Sequence, residues 1–192
     1  MINGAEAIRS LYGAYRLARL DPRGLEFLDQ SPEGALRSFW AAVIVLPVFL
    51  PLILLRPDGV ATTGIARLLL VEGVSYVISW TAFPVLMVHV AALLGRQTRY
   101  AAFVSAYNWS GAASALVMSP VALASTLAPS EPLALLQLAV MALLLGYEWF
   151  VTRTVLGVGG GIAAGLVFAD LILSLYIRGV TDGLLQTGAV AG

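Results

Sequence analysis

Four ionisable side chains of this sequence lie inside long apolar stretches. Asp170 stands within "GLVFADLILSLY" (165–176), and Glu72, His89 and Glu148 have similar surroundings. A charged side chain at the centre of a membrane-spanning helix costs ~3 kcal/mol on insertion scales, so such residues face a protein interior and often mark proton or ion pathways. The alternative role is a set of hydrogen bonds between helices, worth ~0.6 kcal/mol each. Both interpretations require helices that bring the four residues together.

The composition indicates that lipid surrounds most of the chain. Hydrophobic residues make up 59% of the 192 positions and charged residues only 11%, and the mean hydropathy is +0.89. A soluble domain carries roughly 25% charged residues. The 11 basic and 11 acidic side chains balance, so no basic field exists to hold nucleic acid. The lipid bilayer is therefore the first expected partner.

Five stretches are long and apolar enough to cross a membrane, since about 20 residues in a helix span the hydrocarbon core. They cover residues of about 39–55, 68–94, 100–127, 133–152 and 158–177. The links between them are short. The sequence thus predicts an all-α membrane protein in which 31–180 form one bundle of five transmembrane helices, followed by a short tail at 181–192.

Turn and capping residues agree with these limits. "SPEG" (31–34) and "APSEPL" (128–133) place Ser31 and Ser130 as helix N-caps followed by proline. "RPDGVATTG" (56–64) predicts a turn before the second span.

Residues 1–30 predict a separate amphipathic segment on the cytoplasmic side. Ile8, Leu11, Tyr12 and Tyr15 fall on one helical face. Two interpretations are open: the helix lies in the membrane interface, or it packs on the cytoplasmic face of the bundle.

Arginine asymmetry predicts the orientation, because cytoplasmic segments carry the excess of positive charge. With the N-terminus inside, three arginines lie on the far side: Arg56, Arg67 and Arg178. Eight lie on the cytoplasmic side: Arg9, Arg16, Arg19, Arg23, Arg37, Arg96, Arg99 and Arg153. We therefore expect a multi-pass protein of the cell membrane, the inner membrane of a bacterium, with the C-terminus outside.

Small and polar residues recur at helical spacing in every span after the first. Gly159, Ala163, Leu166, Asp170 and Ser174 form one such stripe, so Asp170 is expected to point into the bundle. The stripes predict an intramembrane polar seam whose main members are Glu72, His89, Asn108, Glu148 and Asp170. Within this seam, the first interpretation of Asp170 is a structural residue that links helices by hydrogen bonds. The second is a residue with a direct functional role.

Glu72 and Glu148 lie nearer the ends of their spans than Asp170 does. Both are therefore expected to reach an interface, where Glu148 can pair with Arg153. His89 stands about a quarter turn away from the polar stripe of its span, an offset that a bend at Pro84 can alter.

The glycine-rich stretch "GVGGGIAAG" (157–165) predicts close helix packing. Gly157, Gly161 and Gly165 repeat every four residues, as do Gly159 and Ala163, and such small-xxx-small spacing lets helix backbones approach. Phosphate-binding loops need a preceding strand and usually a lysine, and this chain has no lysine. The spacing leaves open whether the packing is within one chain or in a homo-oligomer.

No catalytic constellation is recognisable. One histidine and no cysteine give no metal site of the usual ligand sets, and no GxSxG or HExxH motif occurs. We expect neither enzyme activity nor a metal or cofactor.

The layout resembles the Yip1 domain family, with a cytoplasmic N-terminal segment, five membrane helices and a very short exposed C-terminus. "YEWFVTRTVLGVGGGIAAGLVFADLILSLYI" (147–177) is similar to that family's final hairpin. The resemblance covers about residues 30–180. "SLYGAY" (10–15) lacks the acid and the proline of the family's Asp-Leu-Tyr-Gly-Pro stretch, so no functional residue is carried across. The resemblance implies a non-enzymatic membrane protein that acts through protein partners or on the bilayer.

Two functions are thus expected from the sequence. The first is a membrane scaffold that acts through a protein partner or a homo-oligomer. The alternative is a small-solute or ion permease that uses the intramembrane polar seam; one version of this alternative is a proton-coupled permease. A membrane enzyme would need a water-accessible cluster around Glu72, His89 or Glu148.

Overall fold

The computed structural model describes residues 2–55 and 64–189, with side chains to 186, and all its regular elements are helices. In chain order they are α1 (Gly4–Ala18), a 3-10 helix (Pro22–Phe27), α2 (Pro32–Ser38), α3 (Trp40–Leu54), α4 (Ile65–Leu93), a short 3-10 turn (Gln97–Arg99), α5 (Tyr100–Leu127), α6 (Glu131–Leu156) and α7 (Gly160–Ala189). No strand occurs within the described ranges.

Among the described residues, five segments are long and apolar enough to cross a membrane, which confirms the predicted all-α membrane bundle. They are Pro32–Leu54, Ile65–Leu93, Gln97–Leu127, Glu131–Leu156 and Gly160–Gln186. α2 and α3 form the first of these together, separated by a single turn residue, Phe39.

The last helix is longer than predicted. The sequence predicts an end near Arg178 and a separate tail from 181, but α7 continues to Ala189. Arg178 does not end the helix because its guanidinium lies 3.5 Å from the carboxylate of Asp182, one turn further on. Thr181 also stays buried and donates a hydrogen bond to the carbonyl of Ile177.

The helix starts follow local chemistry. The Ser31 hydroxyl accepts a hydrogen bond from Gly34 N–H at 3.0 Å, and Asp21 caps the 3-10 helix by accepting from Arg23 N–H at 3.0 Å. Ser130 occupies the N-cap position of α6 as predicted, without a side-chain hydrogen bond to the helix. The turn predicted at 56–64 and Arg56 fall mainly within 56–63, outside the described residues.

The N-terminal segment packs on the bundle. We call α1, the 3-10 helix and α2 the cap. Ala14 and Leu17 of α1 are fully buried, and α1 contacts both α5 and α6. Of the two interpretations of residues 1–30, the structure therefore shows packing on the bundle for the face of α1 that carries Ala14 and Leu17.

The buried face of α1 is not the predicted one. Ser10, Gly13, Ala14 and Leu17 are buried, whereas Ile8, Tyr12 and Tyr15 of the predicted stripe are exposed. Small residues occupy the buried positions because the 3-10 helix approaches very closely: a Cβ on Gly13 would lie 2.7 Å from the carbonyl oxygen of Gly24.

Ion pairs tie the cap together. Arg37 of α2 lies 2.9 Å from the carboxylate of Glu6 in α1 and 2.5 Å from that of Asp29. Arg16 pairs with Asp21 at the end of α1. The hydrogen bonds to Asp29 from the Ser31 side chain and backbone, with Arg37 beside it, hold the pKa of that carboxyl below its usual range.

α5 is the central helix of the bundle. It contacts the cap, α3 and α6, while α4 and α7 pack against each other and α7 also contacts α6. At the cap end, Arg96 and Arg99 from the α4–α5 connection donate to the carbonyls of Gly157 and Val155, at 3.1 and 3.2 Å. These bonds satisfy backbone acceptors that a helix C-terminus leaves open, and the positive charges complement its dipole.

Candidate functional site

Asp170 faces the interior of the bundle, as predicted. Its side chain is 6% exposed, and the Tyr107 hydroxyl of α5 donates a hydrogen bond to its Oδ2 at 2.9 Å. Glu148, which is half-buried on the adjacent α6, lies near the same carboxyl group. Three helices therefore each contribute one polar side chain to a single cluster, which we call the carboxyl pair with Tyr107.

Aromatic side chains pack around the Tyr107 ring. Its ring centroid lies 5.3 Å from that of Phe83 on α4 and 5.8 Å from that of Phe103 on α5. Phe83 and Phe103 are buried. The tyrosine ring is thereby fixed by packing, and its hydroxyl is aimed at Asp170.

Glu148 does not pair with Arg153, contrary to expectation. The Arg153 guanidinium lies over the Trp149 ring, 5.3 Å from its centroid, which is the geometry of a cation–π contact. Glu148 points instead toward α7 and Asp170. The two residues are five apart on α6, so they project in different directions from the helix.

Glu72 belongs to a second polar cluster, away from the cap end. It is almost fully buried, and its Oε2 lies 3.6 Å from Arg178 Nη1 on α7. Next to this pair, the hydroxyls of Ser75 and Thr181 hydrogen bond across the α4–α7 contact. Glu72 therefore does not reach an aqueous interface on its own; α7 covers it and supplies the opposite charge.

A mainly apolar cavity with several polar groups in its wall opens beside this second cluster. Its volume is about 280 Å³. α3, α4, α5 and α7 form its walls, with Val45, Phe49, Tyr76, Trp80 and Ala115 on the apolar side. Its polar lining consists of Glu72, Ser75, Ser79, Ser174, Arg178 and Thr181. Ser174 lies one helical turn from Asp170, so α7 connects the cavity wall to the carboxyl pair.

Asn108 joins the cap to α5 and does not meet the carboxyl groups. Its Nδ2 donates to the Ser38 hydroxyl at 2.7 Å, and that hydroxyl donates to the Ala35 carbonyl at 2.6 Å. Asn108 is fully buried. Its Oδ1 and the nearby Ser105 Oγ have no hydrogen-bond partner in the described part of the chain.

His89 lies outside both clusters. Its side chain is exposed on the outer surface of α4. In the sequence, His89 stands about a quarter turn away from the polar stripe of its span. Pro84 does not remove this offset, because Ile65–Leu93 remains one helix through that proline. The prediction that His89 takes part in the polar seam is wrong.

The predicted packing glycines divide into two groups. Gly157 ends α6 in the left-handed conformation, with φ +62°, and Arg99 fills the space that a side chain would need. Ala163 is fully buried against the bundle. Gly159, Gly161 and Gly165 have open space where a Cβ would be, so within the chain the close packing runs through Ala163.

The structure replaces the single predicted seam with two clusters and adds residues that the sequence pattern does not reveal. The spacing of small and polar residues does not reveal Tyr107, because Tyr107 lies on a different face of its helix from Ser105 and Asn108. The sequence pattern marks Arg178 only as the end of a span, although its charge opposite Glu72 is a usable signal. Within the described ranges, no three His, Asp or Glu side chains lie close enough to hold a metal ion.

Fold and site together define the class: an all-α membrane bundle of five spanning segments with a helical cap and two intramembrane polar clusters. No family model, curated protein or solved structure matches the chain. The similarity to the Yip1 domain family therefore stays a prediction.

Proposed function

We propose that this chain is a non-enzymatic membrane protein that acts through a protein partner bound on the outer face of its cap. The observation that carries the proposal is the row of large apolar side chains on α1 that the bundle leaves uncovered. Ile8 is 72% exposed, Tyr12 49% and Tyr15 53%. They lie at helical spacing on one face.

Arginines flank this row and define its chemistry. Arg19 lies 5.8 Å from the centroid of the Tyr15 ring, and Arg16 is held in its ion pair with Asp21. Tyr12, Tyr15, Arg16, Arg19 and Asp21 line a depression of about 490 Å³. Tyrosine and arginine are enriched among residues that dominate binding energy at interfaces, and the basic rim suits a partner segment that carries acidic and apolar side chains.

A protein partner fits this face better than insertion into lipid. Amphipathic helices that insert into lipid present a broad apolar face, whereas here the apolar row is narrow and bordered by charges. The depression has the size of ordinary ligand and side-chain pockets.

Site-specific photo-crosslinking in intact cells tests the proposal. A photoreactive residue at Tyr12 should form an adduct with a discrete protein, and Arg19→Glu should abolish that adduct by reversing the charge at the rim. The same probe at Leu143, which is exposed on α6, is the matched control and should not capture that protein. Adducts with lipid alone at Tyr12, or capture that ignores Arg19→Glu, would refute the proposal.

A second function, a small-solute permease, is favoured by the cavity that Glu72 and Arg178 help to line. Charged groups within spanning segments are costly and commonly line substrate paths. Ser174 connects this cavity along α7 to the carboxyl pair. Solute flux into proteoliposomes that vanishes in Glu72→Gln and in Asp170→Asn would support transport. If small polar and zwitterionic solutes show no flux while the photo-crosslinked adduct at Tyr12 is present, binding of a protein partner is the better account of the function.

A further inference from the structure

We propose that the cavity beside Glu72 and Arg178 binds a small zwitterion with an apolar body, of the size of an apolar amino acid. α3, α4, α5 and α7 form its walls, and its volume of about 280 Å³ lies near the lower end of the range for ligand pockets. A water molecule takes up roughly 30 Å³ of the liquid, so a compound of roughly nine non-hydrogen atoms fits the cavity. Such a compound would also be the solute of the second function proposed above, but binding at this site does not require transport.

Arg178 supplies the group that would hold a carboxylate. Its Nη1 lies 3.6 Å from Glu72 Oε2 on α4, and its Nε lies 3.5 Å from Asp182 Oδ1. Both distances exceed the ~2.7–2.9 Å of a charge-assisted hydrogen bond. The guanidinium therefore keeps N–H donors for a ligand, and its side chain is 46% exposed. Arginine binds carboxylates with two parallel hydrogen bonds.

A ligand with both charges matches the pair better than an ion of one sign. Glu72 lines the same cavity as Arg178, although its own side chain is 1% exposed. An anion would be attracted by Arg178 and repelled by Glu72, and a cation would experience the reverse. A compound that carries a carboxylate and an ammonium group on one carbon can place the first at Arg178 and the second at Glu72.

Aromatic rings form the apolar wall. The ring centroids of Phe49 and Tyr76 lie 4.7 Å apart, and those of Tyr76 and Trp80 lie 6.1 Å apart. The Tyr76 hydroxyl donates to the Ala42 carbonyl of α3 at 2.6 Å. Tyr76 thus has its hydroxyl engaged with α3 and contributes its ring to the wall. Such rings pack against an apolar side chain and attract an ammonium group through cation–π contacts.

The charged and the apolar groups are separated along the cavity. Trp80 follows Glu72 by eight positions on α4, which corresponds to ~12 Å along the helix axis. Trp80 lies close to α5, since a Cβ on Gly111 would be 3.8 Å from its ring. A bound zwitterion would therefore have its charged end at the Glu72–Arg178 pair and its apolar body toward Trp80 and Ala115.

The apolar wall favours a free compound over a membrane lipid. A phospholipid with an ammonium headgroup also carries both charges. Its two acyl chains far exceed a volume of about 280 Å³, so it could place only its polar headgroup in the cavity. The aromatic rings would then face polar groups, whereas a free amino acid fills the apolar end with its own side chain.

Calorimetric titration of the full chain in nanodiscs tests the site. The discs contain phosphatidylglycerol alone, which has no ammonium group. Of valine, leucine and phenylalanine, at least one should bind saturably. For each amino acid that binds, two analogues are the controls: its amide, which lacks the carboxylate, and its deaminated acid, which lacks the ammonium group. Each analogue should bind about tenfold or more weakly, because one charge of the pair loses its partner.

Two variants locate the binding in the cavity. Ala115→Leu fills the apolar end without changing a charge, and Arg178→Gln removes the carboxylate-binding group. Each should weaken binding about tenfold or more. Val117→Leu, at an exposed position of the same helix, is the matched control and should bind like the wild type. Unfolding midpoints without ligand show which variants keep the fold.

Four results would overturn this site or its ligand class. The first is a wild type that binds none of the three amino acids, a measurement that needs no variant to fold. The second is equal binding of the amide and the deaminated acid. The third is binding that neither Ala115→Leu nor Arg178→Gln weakens. The fourth is retention of phosphatidylethanolamine from mixed-lipid discs without amino-acid binding, which would assign the cavity to a lipid headgroup.

The outcome is distinguishable from that of the functions proposed above. Saturable binding without solute flux into proteoliposomes would support this site and contradict the permease. The adduct at Tyr12 reports on the outer face of the cap, and its presence or absence leaves the titration unaffected.

Discussion

The hydroxyl group of Tyr147 on α6 donates a hydrogen bond to the backbone carbonyl of Ala14 on α1, 133 positions earlier in the chain, at 2.8 Å. The same hydroxyl lies 2.9 Å from the Ser110 hydroxyl on α5. One buried side chain thus connects the cap to two membrane-spanning helices, and the cap forms part of the protein core.

Tyr147→Phe should destabilise the protein by about 1 kcal/mol, the usual net value of a buried hydrogen bond, because the Ala14 carbonyl loses this donor. Thermal unfolding in detergent micelles measures the change. Tyr176→Phe removes a hydroxyl from an exposed position on α7 and should leave the midpoint unchanged. Equal midpoints for both variants would mean that the bond does not hold the cap.

Gly13→Ala should disrupt the docking of the 3-10 helix on α1. The added methyl group would lie 2.7 Å from the Gly24 carbonyl oxygen and 3.0 Å from the Phe27 Cβ, and overpacking of this kind costs ~1–3 kcal/mol. Hydrogen exchange of residues 2–38 should become faster. Gly4→Ala, where nothing lies within 4 Å of the new Cβ, is the control in the same helix; similar exchange in both variants would contradict the packing described.

Acid should loosen the cap through Asp29. Hydrogen bonds from the Ser31 side chain and backbone, and the charge of Arg37, lower the pKa of this carboxyl in the folded state. A carboxyl with a lowered folded-state pKa contributes stability that is present above its unfolded value of about 4 and is lost as the pH falls through the folded-state pKa.

Hydrogen exchange of the cap, corrected for the intrinsic pH dependence, should therefore rise as the pH is lowered from about 5 toward 2. Asp29→Asn should begin less protected and show a smaller change over this range. An acid response of the same size in Asp29→Asn would show that another group is responsible.

Ala163→Leu should destabilise the bundle, whereas Gly165→Ala should not. Ala163 is fully buried, and Gly165 has open space around a new Cβ, so only the first change overpacks a filled site, at a cost of ~1–3 kcal/mol. Unfolding midpoints in micelles compare the two. A lower midpoint for Gly165→Ala together with a change in oligomeric state would instead indicate that this face contacts a second copy.

Much of the fold follows from the sequence because hydrophobic length and helix caps are local properties. The five spans, the helix N-cap at Ser31 and the inward direction of Asp170 can all be predicted in this way. Periodicity shows which residues share one face of a helix, but not how two helices are rotated relative to each other. For that reason the sequence pairs Glu148 with Arg153, while its actual neighbour, Asp170, lies on another helix.

Two further features need the three-dimensional structure. The cap buries Gly13 and Ala14 instead of the larger Tyr12 and Tyr15, because close approach of backbones favours small residues and hydrophobicity alone does not reveal it. α7 continues past Arg178, whose guanidinium lies beside Asp182 one turn further on and beside Glu72 of α4; the second of these contacts joins residues that are distant in the sequence.

Labelling of single cysteines in intact cells tests the central claim, five membrane crossings with the cap at one end. Ala5→Cys and Thr98→Cys lie in the cap and in the α4–α5 connection, and Ala128→Cys lies in the α5–α6 connection, all exposed. A membrane-impermeant maleimide should label Ala128→Cys on intact cells and should label Ala5→Cys and Thr98→Cys only after the membrane is opened. Labelling of both Thr98→Cys and Ala128→Cys from the same side of intact cells would contradict the account.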